Sequence, residues 1–330
     1  MYINNMYNLT RGYPILKEKS ERLSKQDSVK KDKDELVGLV YAFKKWNKKP
    51  KIFLYVDGKK DLLLRKESDN SSYIYALCYH KGLIYHSIQN LALSNRLIYE
   101  TLSGKIIGKR IDSISALCSH NGKLYDSSYN EVFETFSGEG VARRHRNIES
   151  LCSHKGELYD GGRYDFLYET FSGEKVVETK SYIHDLCSHH GVLYSLEEKG
   201  KFYKTLSREE LSKDWHWNEF LCSWGDNLWG KDYRGGKVVD MLDNKQVLEI
   251  NNKHIVAMCG VGKELINDIY YNLYERKPKQ FIKYFRRHSS KVQEAIVSGV
   301  FKYESENEMI TKFLEKEYSD LLRDVTLKDV

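Results

Sequence analysis

Apolar residues in this chain come in short runs, and the runs return. Ile114-Ser-Ala-Leu-Cys-Ser-His-Asn-Gly-Lys-Leu-Tyr-Asp126 recurs as Ile148-Glu-Ser-Leu-Cys-Ser-His-Lys-Gly-Glu-Leu-Tyr-Asp160 and as Ile183-His-Asp-Leu-Cys-Ser-His-His-Gly-Val-Leu-Tyr-Ser195. The six cysteines (Cys78, Cys118, Cys152, Cys187, Cys222 and Cys259) mark the copies, at spacings of 40, 34, 35, 35 and 37 residues. Within one copy the pattern predicts four strands. The apolar run Ile148 to Cys152 closes at a Lys155-Gly156 turn, where glycine supplies the positive φ that a tight hairpin needs. Glu157 to Asp160 forms the second strand, and Gly161-Gly162-Arg163 leads to the third, Phe166 to Phe171. A Ser172-Gly173 turn then leads to the fourth, Lys175 to Thr179.

A four-stranded unit of this kind has two apolar faces that it cannot cover alone. Such units stack, and a ring of them also protects its strand edges. The expected fold is therefore all-β, a six- or seven-bladed β-propeller with short helical N- and C-terminal extensions. The expected limits are 1–35 for the N-terminal extension, 36–287 for the propeller and 288–330 for a C-terminal helical hairpin. That hairpin rests on two capping boxes, Ser290-Lys-Val-Gln293 and Ser305-Glu-Asn-Glu308, each followed by apolar positions at helical spacing.

The blade count turns on the two ends. Leu39 to Phe43 lies one period before Ala76-Leu77-Cys78 and, with the hairpin Ile52 to Leu64, reads as a degenerate first blade. Cys259 to Lys277 aligns without gaps to Cys118 to Phe136, which completes seven, the preferred count. In the competing reading Leu265, Ile266, Ile269, Tyr270, Leu273 and Tyr274 form a helical stripe. The Ile52 to Leu64 hairpin then joins the two termini in one blade, which gives six.

The leading apolar strand, the Asn-Gly-Lys turn, the aromatic third strand and the Ser-Gly turn, as in Ile114 to Gly138, resemble the WD40 type of propeller repeat. Phe133-Glu134 and Tyr168-Glu169 stand where that repeat has Trp-Asp, and the Gly-His dipeptide is absent. The resemblance implies the architecture and no particular partner. The units are also similar to Leu-Cys-Ser-His-x-Gly-x-Leu-Tyr-Asp repeats of uncharacterised prokaryotic, especially archaeal, proteins, a likeness that brings no activity with it.

Composition narrows the setting. The chain has 330 residues, of which 41% are hydrophobic and 13% aromatic, enough for a sizeable core. With 30% charged residues and a mean hydropathy of −0.61 it is expected to be soluble. No run approaches the roughly 18 apolar residues of a membrane helix, so no membrane partner is expected. Met1-Tyr2-Ile3-Asn4-Asn5 carries neither a basic nor an apolar leader region, and a cytoplasmic location is expected. The net charge of +6 admits an anionic partner without requiring one.

Cys-x-His recurs at Cys78/His80, Cys118/His120, Cys152/His154 and Cys187/His189, and residues two apart on a strand share a face. Zinc sites of the usual Cys-x2-Cys spacing are nevertheless missing, and Trp224 and Val261 stand at the histidine slot in the last two copies. The cysteines read as small packing residues and the histidines as solvent-facing turn residues; no metal or cofactor is expected. Tyr85, Tyr125, Tyr159, Tyr194 and Trp229, repeated at one slot, read as packing, and Asp126 and Asp160 as turn hydrogen-bond acceptors. No nucleotide-binding, zinc-protease or nucleophile-elbow motif supports an enzyme. An enzyme would need carboxylates or histidines converging at the channel mouth, for which Asp160, Asp165 and His145 are the candidates.

What varies between copies carries more information than what repeats. Unlike residues collect where one copy leads to the next: Arg143, Arg144 and Arg146, then Lys180-Ser-Tyr182, then Trp215 and Trp217. In WD40-type propellers these loops share a face with those between second and third strands, which here hold Tyr129, Arg163, Tyr164, Tyr233 and Arg234. That face is expected to be basic and aromatic. The expected function is a non-catalytic binding scaffold that docks an acidic protein surface, with nucleic acid as runner-up. The plainer alternative leaves the arginines solvated and gives Trp217 to the core.

Overall fold

The repeated hairpin chemistry sets the architecture. In Lys155-Gly156 both central residues have positive φ, 49° and 88°, the type I′ geometry whose twist matches that of antiparallel strands. Lys81-Gly82, Asn121-Gly122 and His190-Gly191 repeat it. The outer hairpin is closed differently. Glu134 accepts hydrogen bonds from the amides of Phe136 and Ser137, and Glu169 from those of Phe171 and Ser172, so the glutamate after the third-strand aromatic caps the turn.

The computed structural model describes residues 38–44, 48–56, 62–67, 72–90, 95–179, 181–212, 220–232, 237–243, 245–249, 254–261, 266, 269 and 270. The first three strands are β1 (Gly38–Lys44), β2 (Lys51–Val56) and β3 (Leu62–Lys66). Blade 2 is β4 (Ser72–His80), β5 (Leu83–Asn90), β6 (Asn95–Glu100) and β7 (Ile106–Arg110). Blade 3 is β8 (Ile114–His120), β9 (Lys123–Ser128), β10 (Glu131–Glu134) and β11 (Gly140–Arg143). Blade 4 is β12 (Ile148–His154), β13 (Glu157–Gly162), β14 (Phe166–Glu169) and β15 (Lys175–Glu178). Blade 5 is β16 (Ile183–His189), β17 (Val192–Glu197), β18 (Lys201–Lys204) and β19 (Glu209–Ser212). Blade 6 is β20 (Leu221–Trp224), β21 (Asn227–Asp232), β22 (Lys237–Asp240) and β23 (Lys245–Glu249). The last strand, β24 (His254–Val261), returns to pair with β1 and completes blade 1 in the order β24-β1-β2-β3.

The molecule is thus an all-β, six-bladed propeller, and the preference for seven is corrected. The reason lies in β1. Its residues Leu39, Val40, Tyr41 and Ala42 are all at most 1% exposed, with β24 on one edge and β2 on the other, so it is a second strand and not an innermost one. Val40 faces Cys259 and Tyr41 faces Met258 across the closure. The alignment of the segment after Cys259 with a further blade also fails: Ile266, Ile269 and Tyr270 are helical and buried against blades 1 and 2. Among the described residues no helix is long and apolar enough to cross a membrane. The N-terminal extension and the C-terminal hairpin lie outside the described residues.

Glycine is needed at the end of β13. A Cβ on Gly162 would lie 2.1 Å from the Asn147 carbonyl oxygen, and one on Gly161 would lie 2.8 Å from Ile183 of the next blade. The Gly-Gly pair expected to be a loop is therefore strand, kept bare so that two blades close up.

All six cysteines are buried on the innermost strands. Each thiol donates to the carbonyl oxygen of the residue after it, at 3.5 Å for Cys78 and Cys259, 3.6 Å for Cys118, Cys152 and Cys222, and 3.8 Å for Cys187. Each also lies beside a backbone N–H of the next blade, from Ser119 beside Cys78 round to Tyr79 beside Cys259. The circle closes on itself. Burial pushes every one of these thiols up, Cys118 and Cys259 to about 12.

The histidines that follow them are not in water, contrary to expectation. His80, His120, His154 and His189 are 2–3% exposed. Their Nδ1 atoms meet the hydroxyls of Ser119, Ser153, Ser188 and Ser223 on the following blade at 2.8, 2.9, 2.9 and 2.9 Å. At the end of an innermost strand the nearest polar group is the neighbouring blade's serine, and aromatic rings cover the other side, as Tyr125 and Phe171 cover His120.

Candidate functional site

Successive hairpins of a blade open at alternate ends, so the links from one blade's outer strand to the next blade's innermost strand emerge beside the turns between second and third strands. On blades 3 and 4 this end carries Arg143, Arg144, Arg146, Arg163 and Tyr164. The structure separates them into two groups.

Arg144 and Tyr164 turn inward. The Arg144 Nη2 lies 2.6 Å from Asp160 Oδ2 and its Nε 3.1 Å from Oδ1, across the boundary between blades 3 and 4. Tyr164, 1% exposed, donates to the same carboxylate at 2.5 Å, and the guanidinium stacks 4.7 Å from the Tyr168 ring centre. Burial raises the Asp160 pKa, and Arg144 counters that in part. Arg110 and Asp126 repeat the device one blade earlier at 2.6 Å, with Phe133 beneath the guanidinium. Asp126 and Asp160 are therefore interblade anchors and not turn acceptors, and Arg144 and Tyr164 belong to the scaffold. Asp160 is spent in the same way and does not join Asp165 and His145, which are exposed on separate loops.

Arg143, Arg146 and Arg163 face water. The Arg143 side chain is 74% exposed with Glu131 3.5 Å away, and Arg146 reaches the Arg163 carbonyl oxygen at 3.4 Å. Tyr129 in the β9–β10 turn and Tyr182 on the link into β16 are 51% and 36% exposed, and Ile111 on the link into β8 is 89% exposed. Trp215, Trp217, Tyr233 and Arg234 lie outside the described residues.

The channel entrance beside this patch holds residues that loop comparison passes over. In the innermost strands the two positions after the first isoleucine read Tyr75-Ala76, Ser115-Ala116, Glu149-Ser150 and His184-Asp185. The framework around them is constant, so this pair is where blades 4 and 5 depart from the others. Arg163 Nε lies 2.5 Å from Glu149 Oε1, and His184 Nδ1 lies 3.5 Å from Oε2. Burial pushes Glu149 up, but the His184 and Arg163 contacts outweigh it and hold its pKa below the usual value. The Glu149 hydrogen bond raises His184 in return. Asp185 accepts from the Ser150 hydroxyl on blade 4, the Leu186 amide on its own strand and the Leu221 amide on blade 6, at 2.9, 2.9 and 2.6 Å. Burial still lifts it to about 6. Among the described residues no group of three or more His, Cys, Asp or Glu side chains has the arrangement to hold a metal ion.

No protein-family model matches the chain. No curated protein matches it either. Among solved structures it is similar to a chain in a crystal structure of a nidogen/laminin complex, with 12% identity over 68% of this chain and 98% of that one, at a TM-score of 0.54. It is also similar to a protein of unknown function from Bacteroides caccae, with 11% identity over 69% of this chain and 99% of that one, at a TM-score of 0.50. At such identities the likeness shows the propeller fold alone.

Proposed function

We propose that the chain is a non-catalytic binding scaffold, and that the patch formed by Arg143, Arg146, Arg163, Tyr129 and Tyr182 docks a protein with an acidic surface. The observation that carries this reading is the outward presentation of arginine and aromatic side chains on loops held by a rigid ring. The neighbour in the nidogen/laminin complex was crystallised with a protein partner, which agrees with such a use of the fold. Two of the exposed arginines have carboxylates beside them, Glu131 and Glu149. A phosphate backbone would meet those carboxylates as well, so the mixed charge favours protein over nucleic acid.

The test is capture from a lysate of the native organism with wild-type chain and with the R143A/R146A/R163A variant, each treated with nuclease. Loss of the wild-type partners in the variant supports the reading. Retention of the same partners refutes it, and partners lost on nuclease treatment would transfer the role to nucleic acid.

A further inference from the structure

We propose that Arg163 and His184 form a carboxylate-recognition site at the entrance of the central channel, which takes an acidic side chain from the docking protein when His184 is protonated. This rests on the docking function above and names what the patch recognises. The anion of the cluster lies beneath its cations: the Arg163 side chain is 61% exposed and His184 42%, whereas Glu149 is 19% exposed. What the partner meets from outside is therefore the cationic side of the cluster.

The free atoms fit a carboxylate. Arg163 spends its Nε on Glu149, and among the described residues no partner takes its Nη1 or Nη2. Two such N–H groups offer a planar fork, the geometry that matches a carboxylate. His184 turns Nδ1 toward Glu149, and its Nε2 has no partner among the described residues. With the Nδ1 proton assigned toward Glu149, Nε2 of the neutral ring is an acceptor and repels a carboxylate oxygen. Protonation makes Nε2 a donor. Protonation thus switches this position from opposing an acidic ligand to holding it.

The charged groups around His184 set the direction. Glu149 on β12 and Glu198 beyond β17 favour the imidazolium, and Arg163 opposes it. The Glu149 hydrogen bond is the largest of these influences and desolvation works against it; the balance raises the histidine. Asp185 follows on the same strand and itself changes charge at about 6, so its part has to be separated by experiment. Tyr182 stands on the link into β16 and lies near Arg163.

The probe is a fluorescently labelled hexaglutamate peptide, read by anisotropy on the full chain at low salt. Glutamates stay ionised well below pH 6, so the peptide's own charge is nearly constant across the range used. Wild type should bind roughly tenfold more tightly at pH 6 than at pH 8, the worth of one charge-assisted hydrogen bond. H184Q should lose the pH dependence and bind at pH 8 at least as tightly as wild type, since its amide can donate where the neutral imidazole nitrogen only accepts. R163Q should weaken binding at both values, and D185N should keep the wild-type dependence. A cooperative unfolding transition and a wild-type far-UV circular dichroism spectrum at each pH serve as the folding control. An unchanged pH dependence in H184Q, its loss in D185N, or no peptide binding by wild type overturns the site. Binding that needs Arg163 but ignores pH overturns the His184 switch while leaving the docking surface standing; a labelled oligonucleotide that binds where the peptide does not overturns both.

Discussion

Arg144, just beyond the outer strand of blade 3, closes on Asp160 in the second strand of blade 4 at 2.6 Å, with the carboxylate wholly out of water and the arginine side chain 8% exposed. The pair is held on every side, by Tyr164 on one oxygen and the Tyr168 ring against the guanidinium. Such a pair ties two blades together, and removing one member strands the other.

R144A should therefore cost about 3–5 kcal/mol of stability, the range for an orphaned buried charge. R143A, whose side chain is 74% exposed, should change stability by less than about 0.5 kcal/mol. Urea midpoints of the two variants check this. Equal midpoints would mean that the interblade pair contributes nothing to holding blades 3 and 4 together.

The contrast between these adjacent arginines shows how far the sequence carries. The repeat fixes period, strand order and hairpin chemistry, because turns and alternation are local: Lys155-Gly156 and the outer Glu134 cap are both readable from short segments. It does not say which neighbour a side chain meets across a blade boundary. Arg143 and Arg144 are indistinguishable by composition, and their opposite fates follow from Asp160 on the next blade, which takes Arg144 and leaves Arg143 at the exposed end of β11. The sequence leaves the blade count open between six and seven for the same reason, since the pairing of Val40 with Cys259 that decides for six joins residues far apart in the chain. Glu149, Ser150, His184 and Asp185 were open to reading: they are the variable pair inside an otherwise constant Ile-x-x-Leu-Cys-Ser-His frame. Attention to loops alone passes over them.

The buried thiols yield a chemical prediction. Burial raises every cysteine pKa, so little thiolate exists near neutrality and no sulfur is open to a reagent. In the folded chain none of the six should react with Ellman's reagent at pH 8 over minutes; in denaturant all six should. Fast release of one or more equivalents from folded protein would contradict the closed ring of sulfurs.

The histidine latches make the ring sensitive to acid. Burial lowers the pKa of His80, His120, His154 and His189 in the folded state. The unfolded chain then takes up protons first as pH falls, so these groups give full stability above about pH 6.5 and lose it as pH drops through that value toward their depressed folded pKa values. Wild-type urea midpoints should decline between pH 7.5 and 5.5, against opposing contributions from His184 and Asp185. The decline should be smaller in H120Q/H154Q. An identical decline in that variant would locate the acid sensitivity elsewhere.

Asp185 should act in the opposite sense. Its carboxyl is raised by burial to about 6 although three donors point at it, so the folded chain binds this proton more readily than the unfolded chain. For such a group stability rises as pH falls through about 6 and is complete only below the ordinary aspartate value. An asparagine cannot titrate, and its amide also presents a donor to the Leu221 N–H, which alters stability by an amount that does not depend on pH. The informative quantity is thus the difference between wild type and D185N, measured as unfolding free energy at pH 7.5, 6.5, 5.5 and 5.0. Wild type should gain relative to the variant at each step downward, most steeply below pH 6, where the folded carboxyl is protonated and the unfolded one is still ionised, and the gain should persist in an R163Q background because Arg163 makes no bond to Asp185. A difference that stays flat with pH would mean that the three donors from blades 4, 5 and 6 already balance the burial of the ionised carboxylate.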